Sequence, residues 1–193
     1  MKRIVEMKRL AMTVALVLIA GSALAQSHQP YAGLQSRPVK ALSEQQIADL
    51  RAGRGMTMAL PAELNGYPGP LHVIELADAL ALSSSQVAGM QRLYDDMKGE
   101  AVALGERLIA QETELDRQFA GHTVTASTLV EATNAIGTTQ GELRGTHLRY
   151  HLLAVEILTR DQLRRYAALR GYGGEPRHEP RHEPGQMRQG HPH

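Results

Sequence analysis

Three short stretches of the chain share one order of apolar and polar positions: apolar, Ser or Thr, two variable residues, Gln, apolar. They are Leu42-Ser43-Glu44-Gln45-Gln46-Ile47, Leu82-Ser83-Ser84-Ser85-Gln86-Val87 and Leu158-Thr159-Arg160-Asp161-Gln162-Leu163. The pattern initiates helices. The hydroxyl accepts from an orphan backbone N–H, the Gln three residues on reaches back to the cap's own N–H, and the flanking apolar pair closes as a staple. Helices are therefore predicted to begin near Glu44, Ser84 and Arg160.

From Ser84 onward the apolar residues recur in heptads. Met90, Met97, Leu104 and Gln111 make one series, and Tyr94, Ala101, Leu108 and Leu115 the other, as in a helix–helix seam. Gly99 and Gly105 weaken such a helix by roughly 1 kcal/mol each relative to Ala and suggest close packing. The helix is predicted to end near Ala120, with Gly121 as a left-handed cap. Thr125 or Ser127 starts a second long helix. Its seam is Leu129, Ile136, Leu143, Tyr150 and Ile157, offset by Thr133, Gln140, His147 and Ala154. Gln111 and Gln140 are polar seam positions of the kind that fix register. Two long helices joined by a short turn lie antiparallel, and the third box starts a last helix ending near Arg170.

The region before Ser84 is less regular. Residues 43–52 read as helix, Gly53, Gly55 and Pro61 interrupt, and Asn65-Gly66-Tyr67-Pro68-Gly69-Pro70 is turn chemistry. Residues 71–80 read as a short helix, with Met56, Met58, Leu60 and Leu64 packing a crossing segment onto the long pair. The expected fold is all-α: a long antiparallel helical hairpin with shorter flanking helices.

The two ends are of another kind. Lys2, Arg3, Lys8 and Arg9 precede an apolar run over residues 10–20, and Ala23-Leu24-Ala25 closes it with small residues. That is the order of a secretory signal peptide cleaved after Ala25, and the run is too short to span a bilayer core of roughly 30 Å. After Gly173-Gly174, Glu-Pro-Arg-His occurs twice and the chain finishes His191-Pro192-His193, which reads as a disordered His/Pro/Arg-rich tail. The organisation expected is a signal peptide at 1–25, a flexible segment at 26–40, a helical domain at 41–172 and a tail at 173–193. Export implies a periplasmic protein with no membrane insertion after cleavage.

Composition narrows the function. The chain has 21 basic and 20 acidic residues; without the four basic residues and Glu6 of the first 25, the net charge is −2 with neutral histidines. No basic patch favours nucleic acid. With no cysteine there is no disulfide, thiol chemistry or thiolate metal site. One Phe and no Trp leave little for a thick core, so a homodimer is expected to cover one apolar face. No nucleophile elbow, phosphate loop or His-Glu-x-x-His motif is present, and no enzyme is expected.

Through the repeated boxes the chain resembles the periplasmic LTxxQ proteins, the Spy and CpxP chaperone-like family with its heavy-metal-resistance relatives such as ZraP and CnrX. The motif residues are Leu82, Ser83 and Gln86, and Leu158, Thr159 and Gln162, with Leu42, Ser43 and Gln46 as an earlier echo. Two of the three boxes carry Ser where the family has Thr. The resemblance implies a helical hairpin that dimerises. It also implies envelope-stress or metal-resistance roles: ATP-independent binding of unfolded clients, contact with a membrane-bound regulatory partner, or capture of divalent metal. Spy-like chaperones are basic, whereas this mature chain is near neutral, a departure that weighs against the chaperone role. A structural or partner-binding envelope protein with neither activity is the alternative.

Histidines are the candidate chemistry. His147 and His151, four apart on one helix face, suit one divalent ion such as Zn, Ni, Co or Cu, or are a polar seam residue and its neighbour. Asp95, Asp96 and Glu100 are expected opposite them. His72 and Glu75 form a second pair, metal-ligating or simply at the surface. In the tail, His178, His182, His191 and His193 can chelate loosely or only solubilise. Met56, Met58, Met90 and Met97 offer a soft client surface or copper ligands, or fill the core.

Overall fold

The computed structural model describes residues 31–172. The signal-peptide segment and the tail with His178, His182, His191 and His193 lie outside the described residues. The chain divides into two units after Arg37. The described part of the first holds one 3-10 turn, Leu34–Ser36. The second contains six helices among the described residues and no strand: α1 (Glu44–Arg51), α2 (Leu60–Glu63), α3 (Pro70–Glu75), α4 (Ser84–Ala120), α5 (Ala126–Ile157) and α6 (Arg160–Leu169).

Helices α1, α4 and α6 each begin through a complete capping box, on Ser43 with Gln46, Ser83 with Gln86, and Thr159 with Gln162. A fourth box, Thr125 with Thr128, starts α5. Two of the boxes also meet in space. The Gln86 amide donates to the Ile157 carbonyl at 2.9 Å and to Gln162 Oε1 at 2.8 Å, and Gln162 donates back to Gln86 Oε1 at 3.0 Å. These side chains thus join the start of α4 to the end of α5 and the start of α6, besides capping their own helices.

The long helices α4 and α5, of 37 and 32 residues, pack together. Gln86 meets Ile157, Glu100 meets Tyr150, and Arg107 pairs with Glu142. On α4 the buried apolar side chains are Met90, Met97, Ala101, Leu108 and Ile109, close to the expected seam. On α5 the seam differs from the expected series. Leu129, Thr133 and Gln140 are exposed, and Thr139 and Thr146 are buried with Ile136 and Leu143. A straight helix drifts against a strict heptad, and short threonines admit closer approach than glutamine.

Two apolar clusters form the core. Val39, Leu42 and Leu50 pack with Ala101, Leu108, Ile109, Ile136 and Leu143. Val73 and Leu80 pack with Met90, Ala154, Leu158 and Tyr166. Val39 was expected in a flexible segment, yet it is buried, and Lys40 pairs with Asp116 at 2.9 Å, so the packed body begins near Pro38. α1 lies close on α4: a Cβ on Gly105 would sit 2.6 Å from the Leu50 carbonyl oxygen. Gly99, also expected at a close contact, has open space around it, as do Gly137, Gly141 and Gly145 on α5.

Two further expectations are corrected. The helix expected over residues 71–80 stops at Glu75, and turns follow to Ala81, whose φ is 50°. At the end of α4, Gly121 stays right-handed at φ −83° and His122 takes the left-handed place at φ 53°. His122 N–H then donates to the Phe119 carbonyl and Thr123 N–H to that of Gln118. The helix thus ends at Ala120 as expected, and only the left-handed place moves, from Gly121 to His122, one past the last right-handed residue.

Candidate functional site

Between the two core clusters the apolar seam is interrupted on α5 by His147 and His151, at the level of Met97 on α4. A cavity of about 450 Å³ opens there, walled by the segment over residues 52–72 and by side chains that include Tyr94, Met97, His147, His151, Arg170 and Tyr172. Leu60, Leu64 and Leu71 contribute to its lining while remaining 41%, 54% and 40% exposed.

His147 and His151 are 3% and 8% exposed. Both face the flanking segment. His147 lies against Gly55, and the His151 ring against Gly69. His151 Nδ1 is 2.6 Å from the Tyr67 carbonyl oxygen. A carbonyl only accepts, so Nδ1 carries the hydrogen and donates it. The His147 ring enters no hydrogen bond among the described residues, and its Nε2 is fully buried. Burial, with the nearby His151 adding to it, pushes the His147 pKa below its usual 6.5, so the ring is neutral at pH 7.

The carboxylate beside these rings is Glu63, at the end of α2, in place of the expected Asp95, Asp96 or Glu100. Its Oε2 accepts from Gly69 N–H at 3.1 Å, and its Oε1 accepts from the hydroxyls of Tyr166 and Tyr172. His72 Nδ1 lies 3.5 Å away, Arg170 Nε 3.6 Å and His151 Nδ1 3.9 Å. Burial raises the Glu63 pKa, but the adjacent His72 ring, with hydrogen bonds from Tyr166 and Gly69 N–H, outweighs it and brings it to about 2. The acids expected opposite are engaged elsewhere. Glu100 accepts from Tyr150 and Thr146 and pairs with Arg149, while Asp95 accepts from Gln91. The reason is rotational: Tyr150 and Ala154 face α4, whereas His147 and His151 lie round the helix beneath residues 55–69.

His72 is directed to Glu63, and Glu75 is exposed without an ion pair among the described residues. The structure thus brings His72, His147 and His151 to one cavity and leaves Glu75 outside it. Among the described residues no group of three or more His, Asp and Glu side chains is arranged to hold a metal ion. Sequence reasoning missed Glu63, Tyr166, Arg170 and Tyr172. One signal was present: Glu63 is the lone charge in Leu60-Pro61-Ala62-Glu63-Leu64, and a lone acid in an apolar run needs partners once buried. Of the methionines, Met90 is fully buried in the cluster of Val73 and Leu80, Met56 and Met58 pack against the cluster of Val39 and Leu50, and Met56 and Met97 line the cavity. No described helix is long and apolar enough to cross a membrane. Comparisons with protein families, with curated proteins and with solved structures give no match.

Proposed function

We propose that the chain is an exported, periplasmic helical protein of the Spy and CpxP kind, without catalysis. In this reading α4 and α5 form an antiparallel hairpin, two copies dimerise, and the protein binds divalent metal or segments of unfolded clients without ATP. The repeated LTxxQ-type boxes support the family reading. The observation that carries the binding reading is the cavity, where a buried imidazole with no hydrogen-bond partner among the described residues lies beside exposed leucines. Folded proteins rarely leave such a group unmet without a water, ion or ligand to meet it.

The test is calorimetric titration of Zn, Ni, Co and Cu into mature protein with His178, His182, His191 and His193 changed to Ala. Aggregation suppression with a denatured client is measured alongside. Saturable metal binding lost in His147→Ala/His151→Ala, or client protection lost when Met97→Trp fills the cavity, supports the reading. If neither occurs, the alternative of a structural or partner-binding envelope protein takes its place. The exposed Phe119 and Val130 at the far end of the long pair favour that alternative.

A further inference from the structure

We propose that the cavity beside His147 is a binding site for a neutral hydroxylated aromatic ring, a phenol, whose hydroxyl hydrogen-bonds the His147 imidazole. The proposal rests on the cavity being the ligand site and names the ligand's chemistry.

The polar wall selects the head group. Neutral imidazole has one N–H donor and one bare nitrogen acceptor, and in His147 neither has a partner among the described residues. A hydroxyl both donates and accepts, so it suits the imidazole in either tautomer; a carbonyl suits only one. A charged head fits poorly. The Glu63 carboxylate is already met by Gly69 N–H, Tyr166, Tyr172 and Arg170, and Arg54 is held by Asp49 at 2.7 Å. Among the described residues no free charge remains at the cavity to offset one brought out of water.

The apolar wall selects the body. Met56 and Met97 line the cavity with Tyr94, Leu60 and Leu64. Thioethers pack favourably at the edges of aromatic rings, and aromatic pairs prefer edge or offset contact. The volume of about 450 Å³ falls in the range of small-molecule sites. A phenol can arrive as a free small molecule or as a tyrosine of an unfolded segment, and the two are separable by experiment.

The full chain, with ¹⁵N-labelled histidines, is titrated at pH 7.5 with p-cresol, toluene and N-acetyltyrosinamide, with imidazole resonances followed by NMR. The expected result is a saturable shift of His147 with p-cresol, and affinity about tenfold above toluene, the worth of one added hydrogen bond. His147→Phe should make cresol and toluene equal. Gly55→Val, whose side chain would enter beside His147 Nδ1, 3.5 Å from the Cβ position, should weaken cresol while leaving the imidazole in place. N-acetyltyrosinamide matching cresol assigns the polypeptide source, and cresol binding alone assigns a free phenol. Equal affinity for toluene overturns the hydroxyl assignment but leaves an apolar ligand cavity. No response of His147 to any probe overturns both.

Discussion

The glutamines of two capping boxes do two jobs, and Gln86→Glu separates them. A glutamate keeps the side-chain oxygen that accepts from Ser83 N–H at 3.0 Å, so the cap survives. It loses the amide hydrogens donated to the Ile157 carbonyl and to Gln162 Oε1, and sets a carboxylate against two acceptors. Leaving part-buried acceptors unmet costs about 1–3 kcal/mol. Negative charge in the first turn of α4 returns about 0.3–1 kcal/mol. The net loss is about 1–2 kcal/mol, a fall in Tm of about 3–8 °C for a body of this size. Gln46→Glu is the matched control. Gln46 makes the same cap on Ser43, with no bond from it to a second helix among the described residues. That variant should be neutral or slightly stabilised. Thermal unfolding followed by circular dichroism measures both. Equal shifts for the two variants would mean that the Gln86–Gln162 contact carries no weight beyond capping.

Glycines give a second contrast: Gly105→Ala should destabilise by about 1–3 kcal/mol through its clash with the Leu50 backbone, and Gly99→Ala should stabilise by up to about 1 kcal/mol, both read in urea. Glu63 titrates near pH 2 when folded against 4.5 otherwise. Its contribution, on the order of 3 kcal/mol, is complete above pH 4.5 and lost as pH falls towards 2. Glu63→Gln should therefore lower stability at pH 7 and flatten the acid limb of the stability–pH curve. For His147 the proton acts in the opposite state. Above pH 6.5 the ring is neutral folded and unfolded; below it the unfolded chain binds a proton that the buried ring resists, so stability declines. His147→Leu removes that slope and, by deleting an unmet polar group, should stabilise by about 1 kcal/mol, measured by urea unfolding at pH 5 and 8.

Much of the fold was legible in the sequence because its signals are local. A hydroxyl and a glutamine three apart act within one turn, which is why the starts of α1, α4 and α6 could be read directly. Apolar spacing along α4 likewise reports one helix face. The fitting of Gly105 beneath Leu50, with Gly99 left open, could not be read, since both glycines look alike until α1 is placed. The candidate site was legible only in part for the same reason. His147 and His151 announce themselves by their spacing, but their carboxylate neighbour comes from 84 positions before His147. It is held by hydroxyls more than a hundred positions further on. Side chains gathered from α2, α5, α6 and the chain beyond have no shared spacing to find. The heptad reading of α5 failed at Gln140 because a repeat assumes one partner, whereas α5 serves α4 on one side and residues 55–69 on the other.

The open glycines of α5 give the molecule an uneven stiffness along its length. Gly137, Gly141 and Gly145 fall four apart and bury nothing, so together they forgo about 3 kcal/mol of helix stability. Toward the loop the packing also thins, with Phe119, Leu129 and Val130 all exposed. At the other end the glutamine pair and the Val73–Leu80–Met90 cluster bind four helices together. Backbone amides of the loop-proximal turns should thus open to exchange about two orders of magnitude more readily than those near Ala154. One end of the long helix pair is thus anchored, the cavity lies between that end and the first apolar cluster, and the turns near the loop can fray without disturbing either.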